Sequence, residues 1–182
     1  MGFMVLRVYV KRFIIFIVLF LHGYLHSSPN YVKYTNQITS QFIKEMRREY
    51  NLFCSGTGGG MPYDVREVAV IFVSHQEVSI EEAREMLVHC TEALRSKINT
   101  HEKIRPFLRE YPFPAERVEI TISFRDEKNQ YYGKEGVDFV FQVNGKIHYE
   151  KFQRGRETFK GIAEEPYEEA LKIVRGKESS RL

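Results

Sequence analysis

The stretch "SIEEAREMLVHCTEALRSKI", residues 79 to 98, most narrows what this chain can fold into, because it specifies the start, the face and the length of a helix. Ser79 with Glu82 three residues later is a capping box. Behind it Ile80, Ala83, Met86, Leu87, Cys90, Ala93, Leu94 and Ile98 trace one apolar stripe, while Glu81, Glu82, Glu85, Glu92 and Arg95 stay off it. A helix with one apolar face needs a surface to lie on. Just upstream, "VREVAVIFV" at 65 to 73 is a β-branched run with apolar side chains at both parities, which reads as a strand covered on both faces.

The rest of the chain extends that pairing. Tyr31, Tyr34, Ile38, Phe42, Met46 and Tyr50 recur every three or four positions and predict an amphipathic helix over 30 to 50, ended by the glycines that follow. Three prolines between 106 and 114 limit "NTHEKIRPFLREYPFP" to one short helical turn and an extended run. "RVEITISF" alternates apolar and polar, and "VDFVFQV" and "KIHYEKF" flank Asn144-Gly145. A three-residue loop with a G1 bulge would pair Phe141 with Ile147 and Phe139 with Tyr149, keeping apolar beside apolar, so that register is expected. Pro166 opens a last helix, "YEEALKIVRG", which Gly176 stops. The order α-β-α-β-β-β-α predicts an α+β domain over 29–176, with a mainly antiparallel four-stranded sheet, an amphipathic helix packed on one face and a disordered tail at 177–182.

Residues 1–28 are set apart. A basic start closing at Lys11-Arg12 precedes nine apolar residues, Phe13 to Leu21, and a more polar stretch ending at Ser27-Ser28. That is the layout of a signal peptide, and nine apolar residues are too few for a membrane span of about 20. Because Leu25 stands two places before Ser27, where a small residue is preferred, an uncleaved N-terminal anchor is the alternative. The chain's net charge of +3 comes from Arg7, Lys11 and Arg12 in this segment, so the remainder is neutral and lacks the footprint of a nucleic-acid binder. Membrane contact is expected only through these N-terminal residues.

The sequence offers little chemistry. "GTGGGMP" follows a helix and precedes a strand, the reverse of a phosphate-binding loop, and no G-x-S-x-G elbow accompanies it. It reads as a connector. His101-Glu102 begins like a zinc-protease helix, but Arg105 stands where the second histidine belongs, and His75, His89 and His148 have no close partner at metal spacing. No metal or cofactor is assigned. Cys54 and Cys90 read first as buried spectators, second as a disulfide tying the glycine stretch to the helix, and last as thiol nucleophiles. In "KIRPFLREYPF" cations and aromatics alternate, which suits either an interaction surface or a solvated connector.

The segments "GTGGGMP", "INTHEKIRPFLREYPFP" and "EEPYEEALKIV" resemble those of an uncharacterised family of small exported proteins of intracellular bacteria, over most of residues 50 to 175. The resemblance implies export in a bacterial setting and brings no catalytic residue with it. The expectation is therefore an exported, non-enzymatic binding or envelope-associated protein, periplasmic or secreted if the signal is cleaved and inner-membrane anchored if not. Its partner is a protein or envelope component. The candidate surface comprises Gly56, Gly58, Gly59, Gly60, Arg105, Phe107, Arg109, Tyr111 and Phe113. The alternatives are a thiol-dependent or hydrolytic enzyme using Cys54 or Cys90, and a membrane-tethered scaffold.

Overall fold

A computed structural model describes residues 30–132 and 136–180. The signal or anchor expected at 1–28 lies outside them, and no helix among the described residues is long and apolar enough to cross a membrane. Among the described residues three α-helices, α1 (Asn30–Tyr50), α2 (Ile80–Thr100) and α3 (Tyr167–Ser179), accompany six strands: β1 (Phe53–Gly58), β2 (Val68–Ser74), β3 (Val118–Phe124), β4 (Phe139–Val143), β5 (Lys146–Gln153) and β6 (Thr158–Pro166).

The fold is α+β, and its sheet has six strands in the order β1-β2-β3-β4-β5-β6 rather than the four expected. β2 and β3 run parallel, joined through α2, and every other neighbouring pair is antiparallel. The two strands beyond the expected four are the edges. β1 is built from the first part of the glycine stretch, and β6 carries Gly161 and two glutamates. Neither has the β-branched or alternating character that marks a strand in sequence, because ladder hydrogen bonds to β2 and β5 hold them instead.

α2 begins as the sequence prescribes: the Glu82 N–H donates to Ser79 Oγ at 3.2 Å and the Ser79 N–H to Glu82 Oε2 at 2.8 Å. The Ser79 N–H first, and then the Ser79 hydroxyl donating to the same carboxylate at 2.9 Å, hold Glu82 below the usual carboxylate range. α1 buries Ile38, Phe42 and Met46. It is ended by Asn51 rather than by the glycines, which begin only at Gly56: Asn51 takes the left-handed conformation (φ 56°) and its side-chain oxygen accepts from Arg47 at 3.0 Å. α3 runs past Gly176 to Ser179, where Lys177 meets Glu85 at 2.8 Å.

All three helices lie on one side of the sheet. Phe42 of α1 meets Phe72 of β2 edge-on at 5.8 Å, Thr91 of α2 donates to Gln142 of β4 at 3.3 Å, and Tyr167 of α3 donates to Glu92 of α2 at 2.9 Å. Beneath them Val68, Val70, Phe72, Val118, Ile120, Ile122, Val140 and Ile147 are fully buried. The expectation that β2 is covered on both faces is corrected: Ile71, on its other side, is 44% exposed.

The β4–β5 hairpin also corrects the expected register. Asn144 and Gly145 both have positive φ, 49° and 72°, forming a two-residue turn of the type whose twist matches antiparallel strands. Phe139 therefore pairs with Glu150 and Phe141 with His148. Expecting apolar beside apolar assigned the phenylalanines to the core, whereas the core side of β4 is Val140 and Gln142. Gln142 is tolerated there because its amide donates to the Ala115 carbonyl at 2.8 Å and its oxygen accepts from Thr91.

Candidate functional site

The structure brings together the two stretches expected to form a surface, though not as one exposed patch. The Val65 N–H donates to the Phe107 carbonyl at 2.8 Å, the Arg109 N–H returns to Val65 at 3.0 Å, and the Arg109 guanidinium reaches Asp64 at 3.2 Å. Asp64 is also held by Arg66 at 2.6 Å, and hydrogen bonding to Arg66 first and to Arg109 lowers its carboxyl below the usual range. Arg105 stacks over Tyr111, which is 53% exposed. Phe107 is half-buried against Tyr31 at 5.9 Å.

Phe113 leaves the surface list, because it is buried. Asn99, which sequence reasoning passed over, anchors it: its side chain accepts from the Phe113 N–H at 2.6 Å and donates to the Phe113 carbonyl at 3.1 Å. Gly56 and Gly58 are strand residues of β1. Gly59 is fixed by the fold, since at φ 142° a Cβ there would stand 2.1 Å from the Glu67 carbonyl oxygen. Gly60 continues the β1–β2 hairpin through its N–H to Glu67 at 3.1 Å. Of the expected surface, Phe107 and Arg109 thus hold the proline-rich connector to Asp64 and Val65, while Gly59 and Gly60 shape the β1–β2 hairpin.

The cysteines are both free, so the disulfide is not formed. Cys90 is fully buried with its thiol 3.4 Å from Met46 Sδ, under α1, while Cys54 is exposed on β1. The spectator reading fits Cys90 and is corrected for Cys54. Burial pushes the Cys90 thiol far up, which keeps it protonated, the opposite of what a nucleophile needs. His89, its neighbour in sequence, instead stacks on Tyr50 at 6.0 Å. His75 Nδ1 donates to the carbonyls of Arg125 and Asp126, each at 3.1 Å, and its ring meets Phe53 edge-on.

The sheet face away from the helices is the feature that sequence reasoning missed. No described helix covers it, yet it is rich in aromatic rings. Phe139 lies 5.6 Å from Phe141 and 5.4 Å from Phe159, Phe159 lies 5.4 Å from Phe152, and Tyr131 closes the cluster at 4.9 Å from Phe152. Phe141 stacks on His148 at 5.0 Å. Toward β1 the same face continues through Ala69, Ile71 and Val73 to Phe53, whose ring lies under the Arg47 guanidinium at 3.3 Å. Arg125 guards the other corner, donating to Tyr131 Oη at 2.7 Å and to Ser123 Oγ at 2.9 Å.

Carboxylates share this face. Glu164 lies 3.7 Å from His148 and, with Glu150 and Gly161, helps line a shallow hollow of about 340 Å³ beside the aromatic cluster. Glu119 has its carboxyl raised, chiefly by burial and then by the charge of Glu67 next to it. Acidic groups among the rings disfavour nucleic-acid phosphates and favour a cationic or apolar ligand. The one signal for this face in the sequence was parity: once the Asn-Gly turn has two residues, Phe139 and Phe141 must point away from Val140.

The polar groups under α3 do a different job. Arg84 meets Glu165 at 2.7 Å, and Tyr149 Oη donates to the same carboxylate, while Glu92 gathers Tyr167, Arg95 at 2.8 Å and Arg175 at 3.2 Å. Burial first, then these carboxylates, pushes both tyrosine hydroxyls far up, so they stay protonated as donors. This network ties α3 to α2 and α2 to β6. Comparison of the chain with protein-family models, with curated proteins and with solved structures finds no significant match.

Proposed function

We propose that this chain is an exported, non-enzymatic binding protein that takes a protein partner on the open face of its sheet. The observation that carries the reading is the aromatic cluster of Phe139, Phe141, Phe152 and Phe159 on a face that no described helix covers. Apolar rings left half-buried on a sheet are costly unless something else covers them, and contiguous patches of this kind mark interaction sites. Aromatic residues also suit the centre of an interface, where large rigid rings bury area at little entropic cost. The carboxylates of Glu119, Glu150 and Glu164 around them match a partner that presents apolar side chains flanked by lysine or arginine. Export rests on the N-terminal pattern and on the resemblance described above.

The test is photo-crosslinking in the cell of origin, with a benzophenone side chain placed at Phe141 on the open face or at Lys172 on the exposed side of α3. A discrete crosslinked protein from position 141 and none from position 172 is the expected result. Equal labelling from both positions, or none from 141, removes the reading.

A further inference from the structure

The two edges of the sheet are built differently. β6 carries Lys160, Glu164 and Glu165 and ends at Pro166, the kinds of residue that keep an edge from pairing with another strand. β1, "FCSGTG", has no charge and no proline, and five of its six residues are exposed. Each edge carries one bulge, so a bulge alone does not separate them.

Gly56 and Gly58 sharpen the contrast. Neither has the positive φ that would require glycine. A Cβ added at Gly56 would come no closer than 3.7 Å to Ile71, and one at Gly58 would lie 3.9 Å from Ala69, both ordinary contacts. At Gly56 the bulge of β1 already accounts for a glycine, whereas at Gly58 the chain's own fold gives no reason for one. Glycine in a strand often marks a place where another backbone approaches.

The charges at the two ends of β1 indicate which backbone that is. Arg47 sits over Phe53 at one end, and Glu67 lies beside Gly59 and Gly60 at the other, with Glu119 next to it. A two-fold axis normal to the sheet runs one β1 antiparallel to another and brings the arginine end of each copy to the glutamate end of its mate. We infer that β1 pairs antiparallel with β1 of a second copy of this chain, joining two sheets edge to edge through an isologous interface. Neutral side chains meet along the strand, and the two open faces become one continuous surface. This inference stands apart from partner binding at Phe141, since the assembly state reads one and crosslinking at Phe141 reads the other.

The experiment is sedimentation velocity of the full chain over a concentration series, beside a variant carrying Ser55→Lys and Thr57→Lys. Both positions are exposed, so the lysines guard the edge without entering the core. The wild-type chain is expected to sediment as a dimer that dissociates on dilution, and the variant's dimer dissociation constant to rise roughly tenfold or more through like charges placed along the paired strands. A second reading covers a variant that fails to fold. In any antiparallel register overlapping four or more residues of β1, the two Cys54 thiols lie within about 20 Å. A bis-maleimide of that span should trap a covalent dimer of the wild-type chain and none of Cys54→Ser. A chain monomeric at every concentration, a dimer that survives both lysines, or the absence of a Cys54-linked dimer overturns the inference.

Discussion

β2 carries Val68, Val70 and Phe72 on one side of the sheet and Ala69, Ile71 and Val73 on the other, so one strand samples both faces with nearly the same kind of residue. Under the helices those side chains are sealed, and the polar groups admitted there, such as Gln142 and Thr91, find hydrogen-bond partners. On the open side Ile71 is 44% exposed and the rings on β4 to β6 rest mainly on one another. The difference separates apolar residues that build the fold from apolar residues the fold does not need. On the covered face the helices seal Val68, Val70 and Phe72, whereas on the open face nothing described covers Ile71, and a partner is the simplest physical account.

Truncation is the strongest way to break that comparison. Phe42→Ala opens a cavity between α1 and β2 and should cost about 3–5 kcal/mol in chemical denaturation. Phe141→Ser removes a half-buried ring and its stacking on His148, and should cost roughly 1–1.5 kcal/mol. Equal costs would mean that the open face is as much a part of the core as the covered one.

The glycines give a finer version. Gly59→Ala forces a Cβ onto the Glu67 carbonyl and should destabilise by about 1–3 kcal/mol. Gly56→Ala meets only Ile71 at ordinary distance and should stabilise by roughly 0.5–1 kcal/mol, the usual strand penalty of glycine relieved. A large loss at Gly56 in the isolated chain would show that the fold itself requires that glycine.

The smallest effect concerns Glu119 on the open face. Its carboxyl is raised by burial and by Glu67, so the folded state favours the protonated form. That contribution is fully present below the unfolded-state pKa and is lost as pH rises through the folded value. Glu119→Gln should therefore leave stability unchanged in acid and raise it near neutral pH by roughly 0.2–1 kcal/mol, the scale of a like-charge pair on neighbouring strands. Thermal melts across that range check it, and a gain equal at all pH values would trace to packing instead of charge.

Much of the fold was legible wherever periodicity and local chemistry agreed. The capping box and stripe of α2, the stripe of α1 and the proline-limited turn at Arg105–Phe107 stand as read, and so does the alternation of β3 as far as Ile122, beyond which Ser123, expected on the wet face, is buried. The edge strands were not legible, since "FCSGTG" and "TFKGIAEEP" are strands only because a neighbour offers a ladder. The β4–β5 register failed for a specific reason: pairing apolar with apolar assumes that aromatic means buried, and the Asn-Gly turn set the opposite parity. Of the expected surface, Arg105, Arg109 and Tyr111 are exposed, Phe107 is half-buried and Phe113 is buried by its bonds to Asn99.

The sequence by itself determined three helices, their apolar faces and a largely antiparallel sheet beneath them, because those follow from spacing along a few turns or a few strand residues. The tertiary structure alone decided the number of strands, which face the helices chose and which phenylalanines they left outside. Those outcomes depend on contacts between residues far apart in the chain, and on a single turn whose two positive φ angles set the direction of every side chain in the hairpin.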